Sequence, residues 1–133
     1  MPEIKNGTKG ACPKVSQKRP QVSPARQKAA EKGTKMKIYI AAPLFNEGER
    51  AFNERIDAII RECGHETFLP QREGGCVADL PDEIEGMPKR KYLFQLDCKH
   101  MDWCDAILIL LDGRVPDEGA CFELGYCYAK GKR

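Results

Sequence analysis

The sequence predicts an α/β fold in which a doubly wound parallel sheet carries helices on both faces. From residue 37 onwards, short strand-like apolar runs alternate with stretches of helical periodicity. The run 106–111 is apolar throughout, which is typical of a strand covered on both sides. Strands separated by helices require right-handed crossover connections, and these place the strands parallel to one another.

Length and composition are those of one globular domain. The chain has 133 residues, of which 41% are hydrophobic, and this is enough for an ordinary core. The longest apolar run is about a third of a membrane span, and the lysine-rich start lacks the apolar part of a secretory signal. We therefore expect a cytoplasmic protein that does not bind membranes. The 7 cysteines include no CxxC pair, so we expect reduced thiols and no metal site.

Charge divides the chain into two parts. Residues 1–35 hold nine Lys or Arg against two acids, and 36–133 hold thirteen against eighteen. The first part has almost no large apolar residues and cannot bury enough surface to fold. We predict a disordered basic extension over 1–35 and a folded domain over 36–133. Because no aromatic residues are interleaved with the lysines, we expect no nucleic-acid partner.

The first strand and first helix are clearly marked. Residues 37–42 form a β-rich run closed by Pro43, which predicts the central strand. Asn46 and Glu49 have the spacing of a capping box, and Gly64 is a typical residue after a helix end. Between them lies an apolar stripe that we expect to pack on the sheet. Its members are Phe52, Ile56, Ile59, Ile60 and Cys63.

The remaining elements follow the same alternation. Residues 66–69 predict a strand, and 70–88 show no sustained period, which predicts a long loop over the active-site face. Helical spacing resumes over 89–101, 105–111 predicts a buried strand, and 118–130 a last helix. One face of the middle helix carries Leu93, Leu96 and His100.

The segment 112–126 carries the strongest functional signal. A turn-rich loop after a buried strand leads to Glu123 among small residues such as Gly119, which let a ligand approach closely. Asp117 lies in the same loop, and Asp97 is near the end of the preceding helix. Loops after parallel strands line the ligand crevice of such sheets, so these three carboxylates are predicted to converge there.

Each candidate also has a simpler interpretation. A helix glutamate is most often exposed, and Asp117 beside a proline is a common turn residue. Asp97 suits the surface of a helix. Tyr39 in the first strand suits the core, where its hydroxyl needs a hydrogen-bond partner. The residue types alone leave both interpretations open.

Four stretches of the chain carry a resemblance to a known family. They are 36–45, 68–71, 102–106, and 111–113 with 117–126. Together they resemble the nucleoside 2-deoxyribosyltransferases over nearly all of 36–133, and the last stretch is the most specific. The resemblance implies a flavodoxin-like or Rossmann-like sheet.

The family resemblance also implies roles for individual residues. It implies that Glu123 is the nucleophile and that Tyr39 hydrogen-bonds it. Asp97 and Asp117 are implied to bind substrate or handle protons, and Gln71 to touch the base. The implied substrates are 2′-deoxynucleosides and free nucleobases.

The implied reaction is exchange of one base for another in nucleoside salvage. A carboxylate beneath C1′ stabilises the oxocarbenium-like transition state and then forms a glycosyl ester. Two such displacements retain the stereochemistry and give ping-pong kinetics. No cofactor and no metal are implied, and the family resemblance points to a homo-oligomer whose neighbouring subunit completes the pocket.

The chain departs from the family pattern at its end, where the family continues with a buried strand. We therefore expect a C-terminally truncated domain whose last strand is missing. Two alternatives stay open: a hydrolase of 2′-deoxynucleoside 5′-monophosphates and a non-catalytic nucleotide-binding protein. The hydrolase needs a phosphate site after the first strand, yet 42–45 has no hydroxyl and includes a proline that lacks an N–H.

Overall fold

The structure is a computed structural model that describes residues 33–75, 77, 79–113 and 115–133. The prediction of a disordered extension therefore concerns residues that, except for 33–35, lie outside the described ones. Strands and helices follow in the order β1 (Lys37–Ala41), α1 (Glu47–Glu62), β2 (Glu66–Phe68), α2 (Pro70–Glu73), β3 (Glu83–Ile84), β4 (Met87–Pro88), α3 (Lys89–Trp103), β5 (Ala106–Ile109) and α4 (Glu118–Ala129). None of the described helices is both long and apolar enough to cross a bilayer.

The main sheet has the parallel order β2-β1-β5, with Tyr39 of β1 beside Phe68 on one side and Ile107 on the other. The crossover from β1 to β2 and the crossover from β2 past β1 to β5 run in opposite directions across the sheet, which places their helices on opposite faces. On one face, Thr67 donates a hydrogen bond to Asp57 of α1. On the other, the ring of Phe68 stacks on His100 of α3. The predicted doubly wound α/β fold is confirmed.

The core lies mainly between the sheet and the pair α3 and α4. Tyr39 and Phe68 from the strands meet Met101 of α3 and Cys127 of α4 there, and all four are at most 2% exposed. Ile40 points to the opposite face and is equally buried. Alternation along β1 therefore sends Tyr39 towards α3 and α4, the two helices that carry the acids discussed below.

The first helix begins and ends as predicted but buries a different face. Asn46 and Glu49 form the capping box, and Gly64 has a φ of 88° after the last turn. The predicted apolar stripe is wrong in part, because Phe52 and Ile59 are 38% and 52% exposed.

The residues that α1 does bury are Asn53 and Asp57. The Asn53 amide donates to the Pro43 carbonyl at 2.9 Å, while Asp57 accepts hydrogen bonds from Thr67 and Arg72. Polar side chains can be buried here because the end of β1, β2 and α2 supply partners for them. Apolar periodicity alone does not detect such a contact.

The stretch 70–88 is less irregular than predicted. Its first residues form the short helix α2, and β3 and β4 pair as an antiparallel hairpin. The two residues between them, Glu85 and Gly86, have φ values of 53° and 74°, as a tight hairpin turn requires. Elements of two to four residues are too short to produce a measurable period, which is why the sequence predicted only a loop.

The strand β5 is less buried than predicted. All of its residues are intermediate in exposure, and Leu111 just beyond it is 56% exposed. The reason is its position at the margin of the described sheet. Its other neighbour is Arg133, whose N–H donates to the Asp105 carbonyl and whose carbonyl accepts the Ile107 N–H at 3.0 Å.

Candidate active site

Tyr39 and Glu123 meet at the carboxyl end of the sheet. Tyr39 is fully buried in β1, and Glu123 lies in the second turn of α4. The Tyr39 hydroxyl donates a hydrogen bond to Glu123 Oε1 at 2.7 Å. The phenol thereby gains the partner that a buried hydroxyl needs. Two residues that the sequence analysis placed at the site are in direct contact.

A pocket of about 660 Å³ opens above this pair. Such a volume is within the usual range for small-ligand sites. Glu123 and Gly119 of α4 and Asp97 of α3 line it. Its aromatic walls are Phe45, Phe94 and Phe122. The pocket thus combines aromatic walls with two carboxyl groups and the guanidinium groups of Arg50 and Arg90.

Burial changes the protonation of both carboxyl groups. It raises the pKa of Glu123 to about 7, an effect that the Tyr39 hydrogen bond opposes and that the charges of Asp97 and Asp117 increase. Burial also raises the pKa of Asp97 to about 6, again against the effect of the Tyr39 hydroxyl. The pKa of Tyr39 is raised by burial and then by the negative charge of Glu123, so the phenol stays protonated and donates.

Asp117 lies beside the pocket as the N-cap of α4. Its Oδ2 accepts the Ala120 N–H at 2.8 Å, which satisfies one of the free N–H groups at the helix start. Gly119 fits the same turn closely, because a Cβ there would lie 3.1 Å from Asp117 Oδ2. One role of Asp117 is therefore to fix the beginning of the helix that carries Glu123.

Gln71 lies in α2 and is not among the residues that line the pocket. Its amide nitrogen donates to the Arg50 carbonyl at 2.9 Å and to Glu54, and its amide oxygen accepts from Asn53. These bonds tie α2 to α1. The structure brings Tyr39, Asp97 and Glu123 together but places Gln71 to one side of them.

Sequence analysis missed several pocket residues. Arg50 of α1 and Arg90, Phe94 and Phe122 of the later helices line it. A signal for two of them existed, because Arg90 and Phe94 lie seven and three residues before Asp97 and therefore on one helix face. The Arg50 guanidinium donates to the Leu44 carbonyl at 3.2 Å, a contact that only the folded loop creates.

No metal-binding group of three or more His, Cys, Asp or Glu side chains occurs in the part of the chain that the structure describes. The described cysteines are free thiols, and of these only Cys104 and Cys127 are buried.

Comparisons with known proteins agree with this geometry. The family model described as nucleoside 2-deoxyribosyltransferase matches residues 38–133. A 2-deoxyribosyltransferase from Bacillus psychrosaccharolyticus has a similar structure, with a TM-score of 0.59 and 32% identity over 72% of this chain and 67% of that one. A conserved protein from Enterococcus faecalis V583 matches with a TM-score of 0.56 and 27% identity, over 74% of this chain and 60% of that one. Comparison with curated proteins gives no significant match. The chain belongs to the nucleoside 2-deoxyribosyltransferase family.

Proposed function

We propose that this protein transfers a 2-deoxyribosyl group between nucleobases through a covalent intermediate on Glu123. The observation that carries the proposal is the 2.7 Å bond from Tyr39 to Glu123 at the floor of a pocket that Asp97 also lines. A half-buried carboxylate held by one hydrogen bond keeps its second oxygen free to approach C1′.

In the first displacement, a Glu123 oxygen forms a bond to C1′ as the bond from C1′ to the base nitrogen breaks. The electron pair of that bond stays on the base, and Asp97 donates a proton to the base so that it leaves neutral. In the second displacement, an incoming base attacks C1′, the glycosyl ester breaks, and Asp97 takes up the proton that the incoming base loses. The two inversions together retain the configuration.

The pKa values allow this division of labour in one protonation state of the pair. With values of about 7 for Glu123 and about 6 for Asp97, the two groups share a single proton in the interval between. The proton resides mainly on Glu123, whose pKa is the higher, so the reactive form with Asp97 protonated and Glu123 ionised is the less populated of the two arrangements. Asp97 is the better acid candidate than Asp117, because it lines the pocket while one Asp117 oxygen is occupied in capping α4.

The other residues have supporting roles in the proposal. Gly119 lets the sugar approach α4 without a side chain in the way, and Asp117 fixes the start of that helix. Contact of Gln71 with the base requires its carboxamide to give up a bond to α1. The exposed rings of Phe45, Phe94 and Phe122, each at least 50% exposed, favour a neighbouring subunit of a homo-oligomer over the pocket mouth. The role that we propose for this reaction is nucleoside salvage in the cytoplasm.

The test is to incubate the protein with deoxyinosine and free adenine and to follow deoxyadenosine and free deoxyribose by chromatography. Base exchange is expected, and it should be lost in Glu123→Gln and kept in Glu118→Gln, which changes an exposed glutamate of the same helix. Release of deoxyribose without deoxyadenosine would assign the chain to hydrolysis instead. A parallel reaction with deoxyinosine monophosphate tests the hydrolase alternative, and absence of any product contradicts the proposal.

A further inference from the structure

A row of flat rings runs from the candidate active site into α3. Tyr39 stacks on Phe68 with ring centroids 5.3 Å apart and an interplanar angle of 26°. Phe68 in turn stacks on His100 with centroids 3.7 Å apart and an angle of 12°. At the end of the row, the rings of His100 and Trp103 lie in an edge-to-face arrangement with their centroids 6.1 Å apart.

The sheet register explains the first contact in this row. Tyr39 and Phe68 are neighbours on adjacent parallel strands, so their side chains leave the same face one strand spacing apart. On its other side Tyr39 is paired with Ile107 of β5. The Tyr39 ring therefore has fixed neighbours on both sides, and only movement of Phe68 would free it towards β2.

His100 prevents that movement. Its Nδ1 is 2.8 Å from the Leu96 carbonyl one turn earlier in α3, and donation to this carbonyl fixes the plane of the imidazole. The ring lies almost parallel to Phe68, which is only 2% exposed. His100 is not among the residues lining the pocket, so it has no contact with a ligand there.

We propose that His100 is a positioning residue that acts through Phe68 and Tyr39 to hold the Glu123 carboxylate in place. The effect of His100 on the rate of base exchange rests on the proposed function, whereas its effect on the position of the Glu123 carboxylate does not. Removal of the imidazole leaves a gap behind Phe68, the Tyr39 ring gains freedom, and its hydroxyl bonds Glu123 for a smaller fraction of the time. The carboxylate then loses part of the interaction that favours its charged form.

The first test measures the titration of Glu123 by carbon NMR of labelled carboxyl groups, with Glu123→Gln identifying the signal. The groups that face Glu123 are Tyr39 on β1, Asp97 on α3 and Asp117 before α4, with Arg50 and Arg90 in the same pocket. Tyr39→Phe should raise the titration midpoint of Glu123 by the whole contribution of the hydrogen bond that the Tyr39 hydroxyl donates. His100→Ala should raise it by about half a pH unit.

Two matched variants separate the ring from its hydrogen bond. His100→Phe keeps a flat ring against Phe68 and should titrate like the wild type, whereas His100→Gln keeps a donor for the Leu96 carbonyl and should behave like His100→Ala. In the double variant Tyr39→Phe with His100→Ala, the second change should add nothing, because its route to Glu123 is already cut. An unchanged midpoint in His100→Ala, or a further shift in the double variant, would overturn the proposal.

The second test measures base exchange in the same variants. His100→Ala should lower kcat by about tenfold to a hundredfold with KM little changed, and His100→Phe should restore it. If His100 served folding alone, His100→Ala would lower the thermal midpoint without a selective loss of kcat, and His100→Phe would not restore kcat. The NMR titration does not depend on turnover. A protein that exchanges no base would therefore contradict the proposed function, and the titration would still decide whether His100 positions Glu123.

Discussion

The hydroxyl of Tyr39 and the carboxylate of Glu123, 84 residues apart in the chain, are joined by a 2.7 Å hydrogen bond. It links the central strand to the last helix at the floor of the pocket. Tyr39 is fully buried, so its donor has no water to bond instead. The acceptors within its reach are the carboxyl groups of Glu123 and Asp97, so the hydroxyl helps to position the nucleophile.

Tyr39→Phe removes this bond and little else. The ring still fills its place beside Phe68, so we expect a folded protein. The rate of base exchange should fall by about tenfold to a hundredfold, because the carboxylate loses the hydrogen-bond donor that β1 supplies and gains freedom. Steady-state kinetics check this, with circular dichroism to show that the fold is kept. A rate equal to that of the wild type would contradict the positioning of Glu123 by Tyr39.

The exchange rate should depend on pH as a bell. The reactive form carries one proton on the two carboxyl groups, whose pKa values are about 6 for Asp97 and about 7 for Glu123. The rate should therefore be greatest between these values and fall on both sides. Measurement of kcat/KM across this range tests the prediction.

Asp97→Asn should remove the proton donor while keeping the size of the side chain. We expect the rate to fall by about a hundredfold or more and the decline on the alkaline side to disappear. Asp102→Asn is the matched control, since Asp102 lies on the same helix but is exposed and bonds Tyr126 and Lys130 instead. Equal losses in both variants would show that the effect comes from α3 and not from the acid.

Glu123→Gln should stabilise the protein at neutral and higher pH. The pKa of Glu123 rises from 4.5 to about 7 on folding, so the folded state binds this proton more tightly than the unfolded state. The free energy of unfolding of the wild type therefore falls as the pH rises from about 4.5 through about 7, and Glu123→Gln removes that fall. Thermal melting from about pH 5 to about pH 8 checks it.

At about pH 8 the variant should melt several degrees higher than the wild type, since each kcal/mol is worth roughly 4–8 °C in a domain of this size. Glu118→Gln, which changes an exposed glutamate in the first turn of α4, should melt like the wild type. A wild-type protein whose melting temperature rose with pH over this interval would contradict the raised pKa of Glu123.

The sequence indicated much of the site because its residues follow from local rules. Glu123 and Asp97 each lie on an element whose period or flanking residues marked it, and the order of strands and helices placed both at one edge. The contact of Tyr39 with Glu123 was implied only by the family resemblance. The stack of Phe68 on His100 could not be predicted in this way. It depends on the rotation of α3 about its own axis relative to the sheet, and the periodicity of the sequence does not determine that rotation.

The face of α1 shows the same limit. Its capping box could be predicted from Asn46 and Glu49, because both residues act within one turn. Its buried face could not, because Asn53 and Asp57 are polar and their partners come from β1, β2 and α2. Contacts between distant polar groups leave no local pattern, whereas an apolar stripe does even where it stays half exposed.

Asp57→Ala should destabilise the fold more than any surface substitution on the helices. Asp57 is 6% exposed, and its removal leaves the buried hydroxyl of Thr67 without its acceptor, while the exposed Arg72 keeps its bonds to Glu73 and to the Thr67 carbonyl. Loss of this acceptor costs about 1–3 kcal/mol, because the Thr67 hydroxyl remains buried and unpaired.

Asp82→Ala is the matched control for this loss. Its side chain is 96% exposed and forms an ion pair with Lys89 at 3.1 Å, a type of contact worth about 0–1 kcal/mol. Urea unfolding of both variants should therefore give a clearly larger loss for Asp57→Ala. Equal losses would mean that α1 is held to β2 by its half-exposed apolar stripe, as the sequence alone predicted, and not by the polar contacts.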